Sequence, residues 1–233
     1  MKFETKLQKI IQRTSNVMSF RFPRPEGLDY KPGQFFFVTL KHEGKELSHH
    51  FSFSSSPTEK DHIEFTKKIS ESEYSEALKT ANVEDWVRID APYGEFTFEG
   101  EYPKIALLGG GIGITPFMSI CRNATDRGLD SKITLFYGCR TPSDIVFRQE
   151  FEELAKRNTN LKIVFTVSDA SPDWKGKTGN IDMDMVKDEL PDFKDNIFYA
   201  CGPPPMVKAM QGLMEGMGLP KERLKLEYFT GYT

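Results

Sequence analysis

The chain has no apolar run of about 18 residues, the minimum for a helix that spans a bilayer, and its opening MKFETKLQKI lacks the apolar stretch and small-residue cleavage site of a secretory leader. A membrane span is excluded, and the expected location is the cytoplasm. Cysteine is scarce: Cys121, Cys139 and Cys201 are odd in number and far apart, which excludes a disulfide framework and every iron–sulfur or zinc spacing. Redox chemistry here would have to use a bound organic cofactor. Neither sign of charge is in excess, with 31 Lys and Arg against 34 Asp and Glu, and the halves either side of residue 100 are each nearly neutral. With no basic face there is no case for a nucleic-acid partner.

What is present is 233 residues with 38% hydrophobic and 12% aromatic composition, enough for one large or two small globular domains. Up to about residue 100, short aromatic and β-branched runs alternate with turn residues. Phe3–Gln12, Val17–Phe22, Gln34–Leu40, Phe51–Ser54, Ile63–Ile69 and Trp86–Asp90 read as about six strands of a small antiparallel barrel, with one helix at Glu73–Thr80. Beyond that point buried apolar strands at Ile105–Leu108, Ile133–Tyr137, Ile163–Val167 and Ile197–Ala200 alternate with helices starting near Pro116, Arg148, Asp182 and Pro204. That rhythm predicts a parallel sheet covered on both faces. The expectation is two domains, 1–100 and 101–233, with a ligand cleft between them.

Three stretches carry chemistry. In Leu107–Phe117 a buried strand runs into Gly109, Gly110, Gly111 and Gly113 and then a helix at Thr115-Pro116. Glycines allow close backbone approach, and a helix N-terminus offers N–H groups to a phosphate or carboxamide. Ala200-Cys201-Gly202-Pro203-Pro204-Pro205-Met206 is a second turn at the end of a strand, so both turns fall at the carboxyl edge of the sheet, where such sheets bind ligands. His49-His50-Phe51-Ser52-Phe53-Ser54 is a barrel strand whose alternation sends Phe51 and Phe53 to one face and His50, Ser52 and Ser54 to the other. Taken singly, each also has a bland reading: a tight connection, a small buried hydrophobe, a solvated edge.

Together, in this order and spacing, the three resemble the ferredoxin–NADP reductase superfamily of flavoproteins over nearly the whole chain. The resemblance implies a Greek-key flavin barrel followed by an α/β nucleotide-binding domain, FAD or FMN as cofactor, and NADH or NADPH as hydride donor. It implies Ser52 beside the flavin N5, with Phe51 where the family has tyrosine, His49 where it has arginine, and Phe53 in the same strand. Thr66 and Lys67 resemble the lysine-bearing flavin strand, and Ser75 the serine at the helix start that serves the pyrophosphate. Gly110, Gly111, Gly113, Thr115, Gly202, Pro203 and Met206 fall on the nicotinamide turns, with Cys201 near the hydride-transfer site. Glu227 and Phe229 match the family's terminal Glu-x-Phe, which Tyr232 would extend.

Nucleotide choice falls on Arg140 and on Ser168-Asp169, at the ends of two sheet strands. Asp169 would repel a 2′-phosphate and favours NADH, whereas Arg140 argues for NADPH. Histidine at position 49 is a weaker anion partner than arginine, which would suit loosely held flavin. Three functions follow: a reductase passing electrons to a ferredoxin, flavodoxin or oxygenase; a reductase of free flavin or ferric chelates; and a non-catalytic nucleotide-binding regulatory subunit.

Overall fold

The computed structural model describes residues 1–229. The first half forms β1 (Lys2–Lys6), β2 (Lys9–Thr14), β3 (Val17–Pro23), β4 (Phe35–His42), β5 (Lys45–Ser52), β6 (His62–Lys68), α1 (Glu73–Thr80) and β7 (Trp86–Tyr93). Two antiparallel sheets, ordered β1-β7-β4-β5 and β2-β3-β6, wrap around an aromatic core of Phe20, Phe36, Phe51, Phe53 and Phe65. β1 and β2 are one path bent at Leu7-Gln8. The Leu7 N–H donates to Asp85 O in one sheet and the Gln8 N–H to Arg21 O in the other, while the Leu7 side chain drops into the core at 1% exposure. The single strand expected over Phe3–Gln12 is therefore two.

β4 and β5 meet in a two-residue hairpin at Glu43 (φ 48) and Gly44 (φ 77), the double positive φ of a type I′ turn. This tight turn extends β5 back to Lys45, well before the expected Phe51. The polar run Lys45–His50 hid that extension, because its exposed side chains carry no apolar alternation.

The second half forms β8 (Lys104–Gly110), α2 (Thr115–Arg127), β9 (Lys132–Cys139), α3 (Arg148–Arg157), β10 (Leu161–Val167), β11 (Lys177–Thr178), α4 (Met183–Glu189), β12 (Ile197–Gly202), α5 (Pro204–Gly216) and β13 (Leu224–Tyr228). All six strands are parallel, in the order β11-β10-β9-β8-β12-β13. Strand alternation divides the core between the two faces. Ile105, Leu107, Leu135 and Tyr137 join Phe117 of α2 and Phe151 of α3 on one side; Ala106, Leu108 and Phe136 join Val186 of α4 and Met210 of α5 on the other.

The chain leaves β8 toward β9 and returns on its other side as β12, so the strand order reverses between β8 and β12. In open α/β sheets that reversal opens a crevice at the carboxyl edge. The halves are joined by specific contacts. Ser119 Oγ donates to Ser55 O (2.7 Å), Tyr199 OH to Thr97 O (3.0 Å), and Arg122 pairs with Glu59 (2.7 Å). Among the described residues, no helix is long and apolar enough to cross a membrane.

Candidate active site between the two halves

The glycine turn after β8 and the Cys-Gly-Pro turn after β12 touch through their backbones. A Cβ on Gly113 would lie 2.2 Å from Cys201 O and 2.8 Å from Gly202 Cα, so Gly113 is required for the two turns to close on each other. Gly110 and Gly202 both face Met206, whose Sδ lies 2.8 and 2.9 Å from where their Cβ atoms would stand. Gly111 differs: φ is +51, and nothing lies within 4 Å of its Cβ position, so its backbone stands bare on that side while its carbonyl accepts from Tyr137 OH at 3.1 Å.

That bare backbone lines a cleft of about 990 Å³, within the range of small-molecule and cofactor sites. Gly110, Gly111, Arg140, Ser168 and Met206, all named from the sequence, line it together with Thr141, Asp144 and Asn180. Asn16, Val17 and Lys68 reach into it from the barrel. Asp169 does not line the cleft; its N–H donates to Arg140 O at 2.7 Å. Pro203 and Gly202 also lie outside the cleft lining. The Asp144 carboxylate accepts from the Thr141 N–H (3.0 Å) and hydroxyl (2.7 Å).

A second, smaller cavity of about 140 Å³ adjoins the cleft, with Ile112 lining both. Phe51, Ser52 and Thr66 enter it from the barrel, Thr115 from the start of α2, and Glu227 and Phe229 from β13 and the residue after it. Parallel pairing of β12 with β13 sets Cys201 directly against Glu227, and the fully buried thiol donates to Glu227 Oε2 at 3.6 Å. Burial pushes the Glu227 carboxyl up to about 7, against a smaller opposite pull from that thiol; burial, then the nearby carboxylate, drives Cys201 well above its ordinary value. Phe35, His50 and Tyr228 complete the walls. His50 and Tyr228 lie within stretches the sequence singled out without being named as site residues, whereas Phe35 carries no motif; only the pairing of β4 with β5, Phe35 opposite Ser52, brings Phe35 to the site.

Beside the cavity, Phe51 stacks on Phe65 at 4.3 Å and leans on Tyr74 of α1, which His49 also contacts at 4.7 Å. His49 is held below its ordinary pKa by burial and then by the charges of Lys67 and His50. Lys67, 5% exposed, is depressed to about 8 by burial, and its Nζ donates to Lys68 O. Two expected placements need correction. Phe53 is fully buried between Tyr30 (3.9 Å) and Phe36 (4.2 Å), because the strand turns inward after Ser52, so it is a core residue with no face to a ligand. Ser72, not Ser75, is the residue that caps α1, accepting from the Ser75 N–H; Ser75 lies in the first turn, fully buried, its hydroxyl accepting from the Ser70 N–H at 3.1 Å. Tyr232 lies outside the described residues.

Comparison with known proteins agrees with this geometry. Residues 3–98 match the model of the oxidoreductase FAD-binding domain and residues 107–212 that of the oxidoreductase NAD-binding domain. The chain belongs to the ferredoxin–NADP reductase superfamily. Among curated members it is 32% identical over 236 residues to the reductase component of propane 2-monooxygenase from Rhodococcus jostii, covering 97% of this chain and 63% of that one. It is 34% identical over 214 residues to NADH-cytochrome b5 reductase 2 of Scheffersomyces stipitis, covering 85% and 63%. The chain thus spans just under two thirds of the length of these relatives. The cytochrome b5 reductase domain of Ulva prolifera nitrate reductase superposes with a TM-score of 0.85 at 26% identity, covering 97% of both chains. The superfamily's two cofactor classes fit the residues present. A slot walled by aromatics and edged by hydroxyls and a protonatable carboxyl suits a flat ring with a polar rim, and bare glycine backbone suits a dinucleotide.

Proposed function

We propose that the chain is an NAD(P)H-dependent flavoprotein reductase, with a flavin-binding unit at 1–100, a nucleotide-binding unit at 101–233, and FAD as its flavin. One observation carries this reading: Ser52 and Thr66 from the barrel and Thr115 and Glu227 from the second half converge on a single cavity that shares Ile112 with the glycine-lined cleft. Bound flavin would supply the redox chemistry, accepting a hydride from reduced nicotinamide and releasing the two electrons one at a time.

The chain's own residues align and insulate. Ser52 and Thr115 present hydroxyls to the ring cavity from opposite units. Glu227, its pKa near neutrality, holds or releases a proton at the cavity wall, and buried Cys201 orients that carboxyl. Phe229, tied by its N–H to Gly202 O at 2.8 Å, covers the cavity and excludes water. His49, Lys67 and the start of α1 supply polar groups for a pyrophosphate.

We assign NADH as the donor. Asp144 lines the same cleft as Arg140, which opposes a 2′-phosphate there, and a relative is itself named an NADH-cytochrome b5 reductase. The acceptor is a one-electron carrier protein or an oxygenase, in line with relatives named as oxygenase reductase components. A second reading, reduction of freely exchanging flavin, is favoured by the lowered pKa of His49, which leaves a neutral ring where a cation would hold phosphate. Anaerobic titration with NADH and then NADPH, followed by flavin absorbance, tests these readings. Bleaching of bound flavin by NADH is expected. Oxidation of NADH only after flavin is added would favour the second reading, and inertness toward both nucleotides would leave the regulatory alternative.

A further inference from the structure

Arg13, near the end of β2, belongs to none of the motifs above, yet its guanidinium meets four groups at once. Nη1 donates to Glu150 Oε1 in the first turn of α3 at 2.6 Å, and Nη2 reaches both oxygens of Glu64 on β6 at 3.3 and 3.2 Å. Nε donates to Ser19 Oγ at 2.7 Å, and the guanidinium carbon lies over the Phe147 ring, 4.7 Å from its centroid. Only 14% of the side chain is exposed. Phe147 immediately precedes α3 and has φ 60, a left-handed conformation that is costly for a bulky residue. Strain is thus spent on the turn that carries both the ring and Glu150 onto Arg13.

From Ser19 the contacts run into the barrel wall. Ser19 Oγ lies 2.6 Å from Thr66 Oγ1, which lies 2.9 Å from Ser54 Oγ, and Ser54 donates to Glu64 Oε1 at 2.9 Å. The two ends fix the direction of every proton between them. Arginine only donates and a carboxylate only accepts, so Ser54 gives its proton to Glu64, Thr66 to Ser54, and Ser19 to Thr66. All three hydroxyl residues are at most 3% exposed, so water does not compete. Thr66 lines the ring cavity. A continuous path therefore joins α3 of the nucleotide-binding unit to a wall of that cavity, with Arg13 bonded both to Glu150 of α3 and to Ser19 and Glu64 of the barrel.

We propose that Arg13 is a positioning residue for hydride transfer: it sets the angle between the two units and, through Ser19, the rotamer and proton of Thr66. This rests on the flavoprotein reductase reading above. Transfer between two bound rings depends steeply on their alignment, and a displacement of about 1 Å can cost on the order of a hundredfold in rate. A planar guanidinium spreads its donors over three nitrogens in fixed directions, one each toward Ser19, Glu150 and Glu64, whereas a lysine ammonium presents its donors from a single atom.

The test is anaerobic stopped-flow reduction of the flavin-loaded chain by NADH, comparing Arg13→Gln, Glu150→Gln, their double variant and Ser19→Ala. The expected result is a limiting reduction rate at least tenfold lower in Arg13→Gln and several-fold lower in Glu150→Gln. The double variant is expected to be no slower than Arg13→Gln, with the NADH dissociation constant within about threefold throughout. Ser19→Ala keeps both ion pairs, so its slowed reduction and altered visible circular dichroism of the bound flavin report the hydroxyl path even if Arg13→Gln does not fold. Wild-type rates in Ser19→Ala and in whichever Arg13 or Glu150 variants fold, with only the melting temperature lowered, would overturn the proposal and leave Arg13 structural; so would a double variant whose losses multiply. Wild-type protein whose bound flavin no nicotinamide nucleotide reduces would instead sink the reading on which the proposal rests.

Discussion

Burial leaves Glu227 holding its proton at a pH where a surface carboxyl has long released it. Its ordinary value is 4.5 and its folded value about 7, so the folded chain binds this proton more tightly than the unfolded chain. The sign follows from linkage: the stability it contributes is complete below pH 4.5 and is lost as pH rises through about 7, a swing on the order of 3 kcal/mol. Glu227→Gln is expected to remove that dependence and to be the more stable form at pH 8, which urea denaturation at several pH values measures. Equal pH slopes in the two proteins would show that the carboxyl is not held in this way. At His49 the expected change is in affinity. His49→Arg replaces a mostly neutral ring with a permanent cation close to Lys67 and α1, and is expected to tighten flavin binding about tenfold, roughly 1.4 kcal/mol. Quenching of flavin fluorescence on titration reads that constant, and an unchanged value would remove residue 49 from the flavin site.

At the scale of the elements, the contact between the glycine turn and the Cys-Gly-Pro turn is the most demanding in the sheet. Gly113→Ala would push a methyl group into the Cys201 carbonyl and Gly202 Cα. We expect a loss of about 3 kcal/mol in stability and a larger proportional loss in nucleotide affinity than in flavin affinity. Thermal melts with and without NADH measure both, and a neutral outcome would mean that the turns can separate freely. How far such elements were legible depended on where their determinants lie. Helix α1 was read at its true limits, Glu73–Thr80, because serines before it and a buried Tyr74-Ala77-Leu78 stripe are local signals. The bend at Leu7 was not legible: a buried leucine amid alternating residues looks the same whether the strand runs straight or changes sheet. Lys68 and Asn16 in the nucleotide cleft, and Phe35 in the ring cavity, come from tertiary and cross-strand geometry that no single stretch records. Phe53 was misplaced because β5 ends at Ser52 and residues 51–56 are all buried, so the alternation of a half-buried strand no longer applies there.

At the scale of the molecule, the two tryptophans fall one to each half, Trp86 on β7 and Trp174 between β10 and β11. The halves share the Arg13, Arg122, Ser119 and Tyr199 contacts, of which Ser119 with Ser55 is fully buried. We therefore expect Trp86→Phe and Trp174→Phe, each leaving one reporter, to give coincident denaturation midpoints by fluorescence. Midpoints separated by more than the error of the fits would show two units that melt alone.

The bent first strand also sets a timetable. Lys2 of β1 pairs with Asp90 of β7, so the two partners stand 88 positions apart along the chain. The four-stranded sheet of the barrel cannot take its final form until that long loop is drawn shut, and the parallel sheet has a closure of the same reach, since Ile105 of β8 pairs with Ile197 of β12. Each half thus waits on a pairing that spans most of its own length, so neither the flavin slot nor the nucleotide cleft is complete until its own distant strands have met, and refolding is expected to be slow in both.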